Sequence, residues 1–216
     1  VMVGPSSSHT AGACKIGQFA RALFHRTPKK VTFYLHGSFA EVYTGHATDL
    51  ALMGGVMKFR TSDPRMPNAF KIAEKKGIQF KFKTTDLGPK YHPNSVRIVL
   101  ERGKHKMSVI GSSIGGGMID IVQIDDFEVH IPGRAGRYLS LVVCYDKKPG
   151  VINRLMKEMK EHDIEIADVV RKDYKDMRLS VVSIEGKRIT LKEVMELEKK
   201  FTDVHFIRSL SKLQTQ

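Results

Sequence analysis

Ile16, Phe19, Ala20 and Leu23 fall at offsets 0, 3, 4 and 7, which predicts an amphipathic helix near the start of the chain. Runs rich in β-branched and aromatic residues follow. Val31 to Gly37, Ile78 to Thr84, Val96 to Arg102, Met107 to Ser112 and Met118 to Ile124 read as strands. Gly103-Lys104 turns one pair into a hairpin, and Leu50 to Met57 and Asn68 to Lys76 read as helices. This first part predicts an α+β domain with a mixed or antiparallel sheet. Beyond residue 137 the pattern is cleaner. Tyr138 to Tyr145 is strand-like, Pro149-Gly150 breaks it, and Ile152, Leu155, Met156 and Met159 form a helical stripe ending near His162. Ile164 to Val170 and Met177 to Ile184 read as strands, with Lys175-Asp176 in the turn. Thr190 to Phe201 is helical, with Thr190 and Glu193 spaced as a capping box. Val204 to Leu210 closes the series as a strand. The order is βαββαβ, the ferredoxin-like split unit.

Between the two parts, Ile131-Pro132-Gly133-Arg134-Ala135-Gly136-Arg137 has no periodicity and reads as a linker. The expected division is 1–132, a linker at 133–137, and 138–216. Composition adds little to this picture except through charge and sulfur. The chain of 216 residues carries a formal charge of +13. Basic residues outnumber acidic ones 20 to 10 over residues 1–137 and 16 to 13 over 138–216. They are dispersed, and no nucleic-acid motif accompanies them. A field that steers anionic substrates, or a surface for an acidic partner chain, explains the excess as well as nucleic acid does. The two cysteines, Cys14 and Cys144, are too few for a disulfide framework or for the thiolates of an iron–sulfur cluster. Both read as packing residues, and a reducing, cytoplasmic setting is the expectation. No apolar run approaches the ~20 residues needed to span a bilayer, and no signal peptide is visible.

The chemistry is concentrated in four polar or glycine-rich punctuations. Ser6-Ser7-Ser8-His9-Thr10 leads from a Gly-Pro turn into the first helix, with Ser8 or Thr10 placed to cap it. There the outward N–H groups and the helix dipole suit a small anion such as a carboxylate. An ordinary capped helix with a serine-rich lead-in fits equally. His36-Gly37-Ser38-Phe39-Ala40 is followed by Gly45-His46-Ala47-Thr48-Asp49, in which Asp49 either orients His46 or caps the next helix. His92-Pro93-Asn94 forms the third, and Ser112-Ser113-Ile114-Gly115-Gly116-Gly117 the fourth. Three successive glycines mark unusual dihedrals or a close approach, and a bulge or hairpin turn needs them as much as a cleft does.

Taken in order, these segments resemble the β subunit of the iron–sulfur-dependent L-serine dehydratases. The tail, from Asp146-Lys147-Lys148-Pro149-Gly150-Val151-Ile152 through Glu161-His162-Asp163-Ile164-Glu165-Ile166, resembles an ACT domain. The resemblance implies an α+β protein. An α/β domain similar to the allosteric substrate-binding domain, with a mixed sheet, precedes a ferredoxin-like ACT domain. It implies a reaction that converts L-serine to pyruvate and ammonia at an oxygen-sensitive [4Fe-4S] cluster. With so few cysteines here, the cluster is expected on a separate α subunit, and no metal ligand is expected on this chain. His9 is the implied catalytic residue. Ser6, Ser7, Ser8, Thr10, His46, Thr48, Asn94, Gly115 and Gly116 are the implied substrate-binding residues. L-serine and the α subunit are the implied partners, along with a second copy paired through the ACT domain. Neither nucleic acid nor membrane is expected as a partner. The competing class is a stand-alone amino-acid sensor without catalysis.

Overall fold

The computed structural model describes residues 8–42, 47–134, 138–185 and 188–215. They fall into two compact units, Val1–Asp125 and Asp126–Gln216. Both mix helix and sheet, and the chain is α+β.

The first unit opens with a π-helical turn, Ser8–Gly12, that runs directly into helix α1 (Ala13–Phe24). Gly12 holds helical dihedrals and no side chain caps α1. Ser8 and Thr10 are therefore not N-caps. They lie inside the wound segment, one turn earlier than the apolar stripe suggests. Strand β1 (Lys30–Leu35), helices α2 (Ser38–Val42), α3 (Thr48–Val56) and α4 (Ala69–Lys75), and strands β2 (Gln79–Thr84), β3 (Ser95–Arg102), β4 (His105–Gly115) and β5 (Met118–Ile124) follow. The strands lie in the order β2-β1-β3-β4-β5. β1 runs parallel to β2 and antiparallel to β3, so the sheet is mixed.

Alternation decides which face is covered. Val31, Phe33, Leu35, Val96, Ile98 and Leu100 are fully buried, and Val109 joins them from β4. α1 lies across β3, β4 and β5, and α3 packs on α1. That helix pair meets backbone to backbone. A Cβ at Gly17 would sit 2.4 Å from the Leu52 carbonyl oxygen, and one at Gly55 2.1 Å from that of Cys14. Phe33 stacks on Phe82 at 4.5 Å, and Phe70 of α4 on Phe80 at 4.9 Å, which fastens β2 to the unit.

The second unit begins with β6 (Phe127–Pro132), a strand that takes in the start of the stretch read as a linker. Strand β7 (Leu139–Asp146), helix α5 (Val151–Glu161), strands β8 (Glu165–Tyr174) and β9 (Met177–Glu185), helix α6 (Leu191–Lys200), strand β10 (Val204–Ser209) and a short helix α7 (Ser211–Gln214) complete it. From β7 to β10 the order is βαββαβ, and the sheet is β10-β7-β9-β8, antiparallel throughout. Leu141, Val143, Leu155, Met159, Val182, Ile184, Leu197 and Ile207 form its core. The Thr190 capping box is present: its hydroxyl accepts from the Glu193 N–H, and the Glu193 carboxylate accepts from the Thr190 N–H at 2.7 Å.

Candidate functional site

The four punctuated segments converge at one end of the first unit. The Ser8–Gly12 turn packs against β4 and α3. The Ser113 hydroxyl of β4 donates to the Ser8 carbonyl at 2.9 Å. The same residue's N–H donates to the Asn94 carbonyl at 2.9 Å. One serine therefore ties the first, third and fourth segments together. Gly12 makes the approach possible: a Cβ there would lie 2.0 Å from Ser113 Oγ.

The second segment arrives from β1. His36 continues past the strand, its N–H donating to the Ser95 carbonyl and its Nδ1 accepting from the Leu87 N–H. Gly37 then turns with φ +53°, and a Cβ there would meet the Pro93 carbonyl oxygen at 2.7 Å. This close fit seats the start of α2 on the His92-Pro93-Asn94 loop. That loop has its own brace, with His92 Nδ1 accepting from the Asn94 N–H at 3.0 Å. Ser95 Oγ donates to the His92 carbonyl and shares a hydrogen bond with Ser112 Oγ at 2.7 Å.

His9 Nε2 lies 3.2 Å from Ser38 Oγ. Its ring meets Phe39 edge-on, with centroids 5.4 Å apart and planes at 63°. Thr10, next along, is buried. α3 starts beside this turn. Its N-cap is Ala47, at φ +55°, without a side-chain cap. Asp49 sits in the first turn of α3 rather than at the cap, and its Oδ1 accepts from the Leu50 N–H at 2.8 Å. Burial pushes its carboxyl above the ordinary carboxylate value, against the pull of that N–H.

Thr48 Oγ1 and Asn94 Oδ1 are both buried and have no hydrogen-bond partner. An unpaired buried polar atom costs about 1–3 kcal/mol.

His9, Ser8, Thr10, Thr48 and Asn94 thus belong to segments brought together at this end. Ser6, Ser7 and His46 lie outside the described residues. Gly115, Gly116 and Gly117 form the β4–β5 turn at φ +105°, +59° and +73°. Space is open around Gly115 and Gly116, while Gly117 abuts Ala11 of the π-helical turn, its Cβ position 3.4 Å from that of Ala11. Two residues of the cluster, Ser38 and Ser113, lie in the punctuated segments but were not among the expected site residues. The signal for Ser38 was its place after Gly37 in a polar break, and that for Ser113 was its place beside Ser112 ahead of the three glycines. Cys14 is no nucleophile: burial pushes its thiol up to about 12, and Sγ faces the Phe59 carbonyl at 3.5 Å.

The family model for the serine dehydratase beta chain matches residues 1–123. The chain is 39% identical to the probable L-serine dehydratase beta chain of Bacillus subtilis (strain 168), over 86% of this chain and 83% of that one. It is 40% identical to the L-serine dehydratase beta chain of Peptoniphilus asaccharolyticus, over 86% of this chain and 82% of that one. Among solved structures, the ACT domain of the GTP pyrophosphokinase of Chlorobium tepidum aligns with a TM-score of 0.27 at 15% identity. That alignment covers 33% of this chain and 95% of that chain.

Proposed function

Because the chain belongs to the serine dehydratase beta-chain family, we propose that it is the β subunit of a heteromeric L-serine dehydratase that converts L-serine to pyruvate and ammonia. The observation that carries the reading for this chain is the hydrogen-bonded cluster that ties His9 to Ser38 and, through Ser113, Ser8 to Asn94, with α3, which Thr48 opens, packed on the same turn.

The overall change is loss of water across Cα–Cβ. The Cα proton leaves, the β-hydroxyl departs, and 2-aminoacrylate tautomerises and takes up water to give pyruvate and ammonia. In this proposal the Ser6–Thr10 segment holds the substrate carboxylate with its hydroxyls and with the N–H groups of the helical start. Thr48 and Asn94 take up the remaining polar groups of the amino acid. His9 holds or moves a proton beside the substrate, since an imidazole changes charge near neutral pH. Substrate contacts for His46 follow from the same reading.

A [4Fe-4S] cluster does not fit the residues of this chain. Its two thiols are buried, one in each unit. Among the described residues no three His, Cys, Asp or Glu side chains gather where they could hold a metal ion. We assign the cluster to a separate α subunit and route no step of this chain's chemistry through it. The second unit, with its ferredoxin-like order, is proposed as a regulatory and self-associating ACT domain.

The test is anaerobic coexpression with a cysteine-bearing α subunit, followed by a pyruvate assay on L-serine. The pair is expected to turn over and this chain alone to be inactive. His9→Ala and Ser8→Ala are expected to lower kcat of the pair at least a hundredfold with both chains folded. Deamination of serine by the lone, iron-free chain would overturn the division of labour, and full turnover by the His9→Ala pair would remove His9 from the chemistry.

A further inference from the structure

We propose that Ser38 is a positioning residue for His9, fixing the imidazole through Nε2 so that the ring meets the substrate in one orientation. This rests on the reading of His9 as the proton-handling group. It adds a residue that acts through His9.

A histidine that transfers protons needs a partner to fix its ring, because free rotation would spread the two nitrogens over many directions. Here the partner is a hydroxyl, 3.2 Å from Nε2. The next residue, Phe39, is fully buried and places its ring edge-on to the imidazole. Two adjacent residues of α2 thus set the angle and the lateral position of the ring.

Both sides of the contact are anchored by backbone. The Ala40 and Glu41 N–H groups donate to the Gly37 carbonyl at 2.9 and 3.2 Å, which winds the segment carrying Ser38. Gly37 is seated on Pro93, and the His36 N–H is tied to Ser95. On the other side, Ser113 holds the Ser8 carbonyl. The His92-Pro93-Asn94 loop therefore reaches the imidazole through Gly37 and Ser38, with none of its own side chains required to touch it.

A hydroxyl suits the task because it both donates and accepts. It can hold neutral imidazole and imidazolium alike, and it brings no net charge. A carboxylate at the same place would favour imidazolium and raise the ring's pKa by ~1–3 units. The acidic group in the first turn of α3 is Asp49, whose carboxylate accepts from the Leu50 N–H.

The experiment has two arms. In the chain alone, NMR titration of the His9 ring reads the contact directly, with the other histidines reporting that the fold is intact. Ser38→Asp should raise the His9 pKa by about one unit or more, while Ser38→Thr should leave it in place. In the reconstituted pair, Ser38→Ala should lower kcat roughly tenfold, the change worth one neutral hydrogen bond, with KM within about twofold. Ser38→Thr should recover most of that loss. An unmoved His9 titration in folded Ser38→Asp overturns the contact, and wild-type kcat in Ser38→Ala overturns the positioning role. The titration needs no α subunit and no turnover. A shifted pKa beside a fully active His9→Ala pair would locate the failure in the assignment of His9 rather than in Ser38.

Discussion

Asp49 shows how one buried group ties stability to pH. Its carboxyl binds a proton more tightly in the folded chain than in the unfolded one, because burial outweighs the Leu50 N–H. As pH rises from the ordinary carboxylate value, the unfolded chain releases that proton first, so Asp49 subtracts stability across the window up to its raised value. Asp49→Asn keeps an acceptor for Leu50 and removes the charge. It is expected to equal or exceed the parent chain in stability at pH 7, and to lose less on going from pH 4 to pH 7. Urea midpoints at several pH values measure this, and parallel curves for the two chains would contradict it. At this scale the sequence was partly legible. His9, Ser8, Thr10, Thr48 and Asn94 stood out as polar residues clustered beside Gly and Pro, a pattern that an ordinary helix start shares. Ser38 and Ser113 lay in the same segments, but their roles come from which carbonyl or ring nitrogen lies opposite. That is a matter of chain reversal over distances of 29 and 105 residues.

Secondary-structure elements were legible where side chains and backbone ask for the same thing. The Thr190 capping box and the α1 and α5 stripes are of this kind. The misses have physical causes. α2 is only five residues long and has no room for a period. β8 was read to end at Val170, yet its ladder with β9 continues through Arg171, Lys172 and Asp173 to Tyr174. An edge strand needs no apolar alternation to keep its backbone hydrogen bonds. β6 was hidden by Pro132, which ends it, and the Gly133 that follows. Where α1 meets α3, two neighbouring glycines make a matched test. Ala at either position gains up to ~1 kcal/mol of helix propensity. At Gly55 the new methyl meets a carbonyl oxygen at 2.1 Å and has no rotamer to escape by. At Gly54 it meets Met66 Sδ, the far end of a flexible side chain. Gly55→Ala is therefore expected to cost about 1–3 kcal/mol or more, and Gly54→Ala distinctly less. Equal denaturation midpoints for the two would refute the argument.

For the whole molecule, two folded units carry two kinds of expectation. The second unit presents β8 as an edge strand with Val170 and Tyr174 exposed, and α6 with Leu191 and Met195 exposed. Pairing with a second copy through this unit is expected, and sedimentation of the intact chain with and without L-serine checks it; a strict monomer under both conditions would count against it. No described helix is long and apolar enough to cross a membrane. The sequence pattern changes near residue 137, and the two compact units meet at Asp125 and Asp126. Cys14 and Cys144 are both buried, one on each side of that boundary. An alkylating reagent can reach either sulfur only when the surrounding fold opens. Mass spectrometry of the two cysteine peptides, after timed exposure to iodoacetamide, would therefore clock the breathing of each half independently, with no label or foreign residue introduced.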